Sequence, residues 1–299
     1  MKILLLGKNG QVGWELQRAL APLGELIALD RWGSGEYCGD LTDIKGLRDT
    51  LNSIRPDLIV NAAAYTAVDK AESEPELAQR INVDAVKALA ESAAIAGSWL
   101  IHYSTDYVFN GEGVHPWLES SPTQPLNVYG QTKLEGEKAI KASGCKHLIF
   151  RTSWVYSARG NNFAKTMLRL AKEREQLNVI NDQLGAPTSA ELIADVTAHA
   201  LKHALNHPGT SGLYHLAAAG EVSWHGFANF VIEQARNDGQ LLAVKEIGAI
   251  PTSAYPTPAR RPLNSRLDCC KLNKIFALTL PDWQSGVTRM LTETQGTEQ

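Results

Sequence analysis

Little in this sequence points to disulfide, transition-metal or membrane chemistry. Its four cysteines, Cys38, Cys145, Cys269 and Cys270, form no CxxC pair, so neither a disulfide framework nor a zinc site is indicated, and they read as reduced thiols. No catalytic transition metal is expected from the eight histidines. No apolar run is long enough to span a bilayer, and Met1-Lys2 leads into Ile3-Leu4-Leu5-Leu6-Gly7, too short for a signal-peptide core. The expectation is a cytoplasmic protein with no membrane partner. A net charge of -3 with 20% charged residues gives no reason to expect nucleic acid. What is present is ordinary globular material: 299 residues, 44% hydrophobic, enough for a full core in one large or two interleaved domains.

Short apolar runs alternate with amphipathic ones through the first half. Ile3 to Leu6, Leu26 to Leu29, Leu58 to Val60, Trp99 to His102 and His147 to Phe150 read as buried strands. Helical patterns lie near Val12 to Leu20, Leu77 to Ala96 and Tyr129 to Ala142. Near-continuous apolar strands separated by helices imply a parallel sheet covered on both faces, an α/β, Rossmann-like doubly wound fold. Beyond Phe150 the spacing predicts a helix over Phe163 to Lys172, a strand at Asn178 to Ile180 and a helix over Ala190 to Leu205. Four prolines between Pro251 and Pro262 predict an extended ordered loop, and the chain is expected to fray after Thr292. The expected division is residues 1–155 as a dinucleotide-binding domain, with a segment at about 176–210 returning to it, and 156–299 as a smaller, interleaved, mainly substrate-binding domain.

Directly after the first strand stands Gly7-Lys8-Asn9-Gly10-Gln11-Val12-Gly13, a GxxGxxG that opens a helix. Its glycines permit a tight turn and close backbone approach to a pyrophosphate, whose charge would meet the free N–H groups of the helix start. Asp30 ends the second strand, where an acid can hydrogen-bond the ribose hydroxyls of NAD. Arg31 beside it suits a 2′-phosphate, so NADH is favoured and NADPH is expected to be usable. Asp40 either reaches the adenine or caps the helix beginning near Asp43. Asn61-Ala62-Ala63-Ala64 ends another strand in small side chains, as a cofactor lying against backbone requires, or as close helix packing does.

Tyr129-Gly130-Gln131-Thr132-Lys133 places a phenol and an ammonium four residues apart, on one face of a helix. A cation held near a tyrosine favours the phenolate and draws its pKa toward working pH. Thr105, in Ser104-Thr105-Asp106 after the fourth strand, lies where ligands collect in a doubly wound sheet. Its hydroxyl can hydrogen-bond a carbonyl oxygen beside Tyr129. Ser104 is the less favoured partner, and Asp106 is a candidate for a substrate hydroxyl.

With these parts in order, the chain resembles the extended short-chain dehydrogenase/reductase family over nearly its whole length. Ser104-Thr105-Asp106-Tyr107-Val108-Phe109, Arg151-Thr152-Ser153-Trp154-Val155-Tyr156 and Asp182-Gln183-Leu184-Gly185-Ala186-Pro187-Thr188 narrow the likeness to its members that act on 4-keto sugars of deoxythymidine diphosphate. The resemblance implies hydride delivery from NADH or NADPH to the sugar C4, completing dTDP-L-rhamnose for cell-surface polysaccharide. It implies Tyr129 as proton donor, Lys133 on the nicotinamide ribose and Thr105 on the carbonyl. The implied cofactor set is Gly7, Gly10, Gln11, Val12, Gly13, Asp30, Arg31, Asp40, Leu41, Ala63, Ala64, Tyr103, Tyr129 and Lys133. Trp154, Arg260 and Arg261 join Thr105, Asp106 and Tyr129 on the dTDP-sugar, the alternatives being a core tryptophan at Trp154 and solvated surface arginines at Arg260 and Arg261. The resemblance further implies a homodimer, with a structural Mg²⁺ at Glu15, Glu191 and Glu293. An epimerase or dehydratase of the same family is the competing reading. Dehydratases carry a Glu after the Thr-Asp pair, which is missing here. A non-catalytic regulatory subunit would have lost catalytic groups, and Thr105, Tyr129 and Lys133 are all present.

Overall fold

The computed structural model describes residues 1–296. In chain order its principal elements are β1 (Lys2–Leu6), α1 (Gln11–Leu20), β2 (Glu25–Leu29), α2 (Ile44–Ile54), β3 (Leu58–Asn61), α3 (Ala85–Ala96), β4 (Trp99–Thr105), α4 (Val128–Ser143), β5 (Lys146–Thr152), α5 (Phe163–Glu173), β6 (Gln176–Ile180), α6 (Ala190–Asn206), β7 (Gly212–His215), α7 (Trp224–Asn237), β8 (Glu246–Ile250) and α8 (Trp283–Gly296). A sheet of order β7-β5-β4-β3-β1-β2 has every neighbouring pair parallel.

The strands run apolar without alternation because both faces are covered. Ile3, Leu5, Leu58, Val60, Ile101 and Phe150 pack on α1 and α6 side chains, while Leu4, Leu6, Ile59, Leu100 and Ile149 pack against α2 and α3. Each such side chain, fully buried, contributes roughly 1.5–3 kcal/mol. Helix ends follow local chemistry. The Asp43 side chain caps α2 by accepting from Gly46 N at 2.9 Å, and Asn127 caps α4 by accepting from Gly130 N at 2.8 Å. Gly144 closes α4 in the left-handed region, φ 71°.

The helix expected over Leu77 to Ala96 is interrupted by a π-helical stretch, Arg80–Asp84. There the Asn82 side chain bonds Tyr65 N and Thr132 Oγ1. Two strands had no clear apolar signal. Gly212–His215 adds the sixth strand beside β5, and Glu246–Ile250 pairs with β6 in a separate parallel ribbon. Thus β6 lies outside the main sheet, while α6 packs along α1. The proline-rich segment contains one 3₁₀ turn, Thr252–Ala254. Where fraying was expected, α8 continues to Gly296, and the rest of that stretch lies outside the described residues. No helix among the described residues is long and apolar enough to cross a membrane.

Chain direction turns at β1. From β1 the chain winds to β2 on one side, then crosses to β3 on the other, so the loops after β1 and β3 diverge and open a crevice at the strands' carboxyl ends. A second core formed by Tyr156, Ala164, Phe227, Val231, Trp283 and Val287 closes that crevice from above.

Candidate active site

The cleft between these layers encloses about 760 Å³. At one end is the turn from Gly7 to Gly13. Gly7 has φ +87°, and a Cβ on Gly13 would lie 2.0 Å from the Gly7 carbonyl oxygen, so the turn closes only with glycine at both positions. Gly10 caps α1 without any side-chain hydrogen bond, leaving the first-turn N–H groups to an anion. Gly7, Gly10, Gln11 and Val12 line the cleft; Gly13 instead makes the close contact between helix and turn. Ser157 Oγ and Asn162 Nδ2 reach Gln11 Oε1 at 3.2 and 3.3 Å, tying the upper layer to this turn. This cradle, uncapped and too tight for side chains, fits a pyrophosphate-bearing cofactor.

Asp30 lies on the wall with Arg31. Its oxygens accept from Asn9 Nδ2 at 2.8 Å and from Trp32 N at 2.9 Å, and Lys8 Nζ stands 3.7 Å away. Asn9 and Trp32 line the same wall and were not singled out in the sequence. Arg31 points to Asp40 at 3.9 Å. Asp43, rather than Asp40, caps α2, while Asp40 accepts from Thr42 N and Oγ1. Asp40 and Leu41 do not line the cleft, and Leu41 is buried in the core under the sheet. Ala63, Ala64 and Tyr103 do line it.

The other end holds Thr105, Asp106, Tyr129 and Lys133, all buried except at the cleft. The Thr105 hydroxyl donates to Asp106 Oδ1 and accepts from Tyr107 N, each at 3.1 Å, and it lies close enough to the Tyr129 phenol to lower its pKa. Ser104 is turned away, donating to Glu137 Oε1 at 2.6 Å. Glu137 is fully buried and takes the Arg151 fork at 2.8 and 2.7 Å. That bidentate pair fastens α4 to β5, and the Ser104 hydrogen bond ties β4 to the same carboxylate. Tyr107 meets Tyr129 edge to face at 5.7 Å.

Burial moves every one of these titrating groups toward its neutral form. The Tyr129 phenol is pushed up to about 12 by burial, with the Thr105 hydroxyl opposing. In the chain by itself Lys133 is not among the groups that offset this rise. Lys133 Nζ donates to the Tyr103 carbonyl at 2.6 Å and lies 3.2 Å from His102 Nε2, and burial takes the ammonium down to about 8. Burial raises Asp106 to about 7, against the pull of the Ser265 and Thr105 hydroxyls. Its Oδ1 accepts from Thr105 at 3.1 Å, and its Oδ2 is buried without a partner.

Trp154 adopts φ +48°, a left-handed conformation unusual for a bulky residue, and stacks on Trp224 at 3.6 Å. Gly185 makes room, since a Cβ there would sit 2.7 Å from the Trp154 ring. Trp224, invisible as a site residue in the sequence, lines both this cleft and a second cavity of about 760 Å³ that continues from it past Tyr107. Gln183 anchors the Trp224 N–H at 3.1 Å. Arg261 borders the second cavity, yet its fork is taken by Asp69 at 3.1 and 2.8 Å rather than left free for a diphosphate. Arg260 is exposed, lines neither cavity, and its carbonyl accepts from Asn127 Nδ2.

Glu15, Glu191 and Glu293 do come to one surface, where burial and the other two carboxylates raise the Glu191 pKa. Arginines stand among them: Arg289 Nε lies 3.1 Å from Glu191 and 3.7 Å from Glu293, and Arg18 Nε lies 3.6 Å from Glu15. The three therefore do not form a Mg²⁺ ligand set within the chain, and no group of three metal-ligating side chains converges among the described residues.

The family described as the RmlD substrate binding domain matches residues 1–295. A dTDP-4-dehydrorhamnose reductase of Escherichia coli K12 is 65% identical over 293 residues, 98% of each chain. The crystal structure of a dTDP-4-dehydrorhamnose reductase from Clostridium acetobutylicum superposes with a TM-score of 0.88 at 34% identity, covering 99% of this chain and 100% of the other. That of Bacillus anthracis, in complex with NADP, gives 0.87 at 34%, covering 98% and 99%. Sequence, fold and the cleft's furniture agree, and the chain belongs to the dTDP-4-dehydrorhamnose reductase family.

Proposed function

We propose that this chain uses NADH or NADPH to reduce the 4-keto group of dTDP-4-dehydro-L-rhamnose, giving dTDP-L-rhamnose. The observation that carries the reading is one cleft with an uncapped glycine turn at one end and Thr105, Tyr129 and Lys133 at the other. Bound there, the reduced nicotinamide supplies the hydride. Tyr129, kept protonated by burial, gives its proton to the ketone oxygen as that oxygen gains charge. The Thr105 hydroxyl beside it supplies a second hydrogen bond that strengthens in the transition state. Lys133, mostly protonated at pH 7 with a pKa of about 8, balances the phenolate left behind and holds the cofactor ribose.

Residues 1–155 with α6 serve the cofactor, and residues 156–299 mainly the sugar nucleotide. Lys8 and Arg31 flank Asp30, an arrangement suited to a ribose hydroxyl or a 2′-phosphate. The Bacillus anthracis relative's complex with NADP supports the second use. Trp154 and Asp106 face the sugar, and Arg260 and Arg261 lie on the loop toward the diphosphate.

The test is NADH and NADPH oxidation with 4-keto sugars of thymidine and uridine diphosphate side by side. One reduced cofactor consumed per thymidine sugar is expected. Turnover without net cofactor consumption would reassign the chain as an epimerase, and turnover of the uridine substrate alone would overturn the rhamnose assignment.

A further inference from the structure

Behind Lys133 lies a buried polar couple that the reaction as described does not use. Asn61 at the end of β3 and His102 in β4 are register partners, so their side chains share one face of the sheet, and both are 1% exposed. Asn61 Nδ2 is 3.2 Å from His102 Nδ1, and Lys133 Nζ is 3.2 Å from His102 Nε2. We propose that His102, oriented by Asn61, is a positioning residue of the reductase, accepting a hydrogen bond at Nε2 that aims the Lys133 ammonium into the cleft. The inference rests on the proposed role of Lys133.

A neutral imidazole carries one N–H, so the two sides of the ring are linked. If Nε2 accepts from the ammonium, the ring proton is on Nδ1 and the Asn61 amide must turn its oxygen to the ring. The amide nitrogen then takes the place of Oδ1 beside Ala63 N, donor against donor, so the N–H of a residue lining the cofactor wall loses the acceptor that Oδ1 gives it at 3.2 Å. If the amide nitrogen faces Nδ1 instead, the ring proton sits on Nε2 and fits only an uncharged Lys133. Heavy-atom positions are the same in both arrangements. The ammonium on Lys133 and the free N–H at Ala63 therefore go together.

Burial and the Lys133 charge hold His102 well below its usual pKa, so it acts as an acceptor and not as a second cation. The charged group acting on His102 is Lys133, and the one acting on Lys133 is Glu137 of α4, which favours the ammonium. From β5 the residue opposite His102 is Ile149, which is apolar. With the Tyr103 carbonyl and His102 each taking one ammonium hydrogen, the third is directed to the cleft.

Two measurements on the full chain decide the matter. In ¹⁵N-histidine spectra at pH 7, the signal lost in His102→Gln should be that of a neutral ring protonated at Nδ1; a ring protonated at Nε2 would overturn the proposal. In steady-state kinetics, His102→Leu should move the alkaline limb of the kcat profile down by about one pH unit, because the ammonium loses an acceptor. His102→Gln, whose amide oxygen can stand near the Nε2 position, should restore the limb. Folded His102→Leu with a wild-type pH profile, or with equal loss at every pH, would show a packing role only. If wild-type protein reduces no keto sugar, the proposed function fails, and the ring tautomer still tests His102.

Discussion

The two ends of the cleft do their work by opposite means. At the glycine turn the active parts are backbone: Gly7, Gly10 and the open start of α1, with partly exposed side chains such as Asp30 and Lys8 paired at its edge. At the Tyr129 end the active parts are buried side chains, and burial drives Tyr129 and Asp106 up and Lys133 down, each toward its uncharged form. A backbone site needs space and tolerates solvent. A side-chain site of this kind needs exclusion of solvent, and holds its groups out of their ordinary charge states at a cost in stability.

The sharpest break in this comparison is Tyr129→Phe. Loss of the proton donor should lower kcat by about 10²–10⁴-fold, while cofactor affinity, read by nicotinamide fluorescence, stays near wild type because the glycine turn is untouched. Wild-type turnover in this variant would remove the tyrosine from the mechanism. Gly13→Ala should do the converse. Its Cβ would meet the Gly7 carbonyl oxygen at 2.0 Å, and the turn must shift at a cost of about 1–3 kcal/mol. Cofactor binding should therefore weaken by roughly one to two orders of magnitude, with the Thr105 and Tyr129 geometry kept. Unchanged cofactor affinity would mean that the turn is not the phosphate site.

The smallest effect is expected from Asp106→Asn, and its sign is the informative part. The folded-state pKa is raised from 3.8 to about 7. The carboxyl's favourable contribution is thus complete below 3.8 and is lost as pH rises through about 7. Removing the charge should raise the unfolding midpoint at pH 8 by a few °C, about 2–4 °C per kcal/mol for a domain of 150–250 residues, and flatten the pH dependence below it. A lower midpoint at pH 8 would show that the unpartnered Oδ2 is satisfied in solution.

The glycine turn was legible because backbone requirements leave glycines at fixed spacing just after an apolar strand. The Tyr129–Lys133 pair was legible because helical spacing puts both on one face. The direction of the Tyr129 shift in the chain by itself was not, since spacing shows that a cation is near in sequence but not that its nitrogen sits against Tyr103 and His102. Trp224 gave no signal: it begins a helix far from Trp154, and only packing stacks the two rings. Arg261 read as a free guanidinium, and its partner Asp69 lies in a segment remote in sequence.

By itself, then, the sequence determined the parallel sheet, the phosphate-binding turn and the identities of Thr105, Tyr129 and Lys133, because each depends on short-range periodicity or on a residue type at a strand end. Tertiary structure decided the partners and proton affinities of those groups. Strand register sets Asn61 beside His102, and the α4–β4 contact sets His102 beside Lys133. Such contacts join residues tens of positions apart, and the desolvation they bring is a property of the closed core rather than of any stretch of chain.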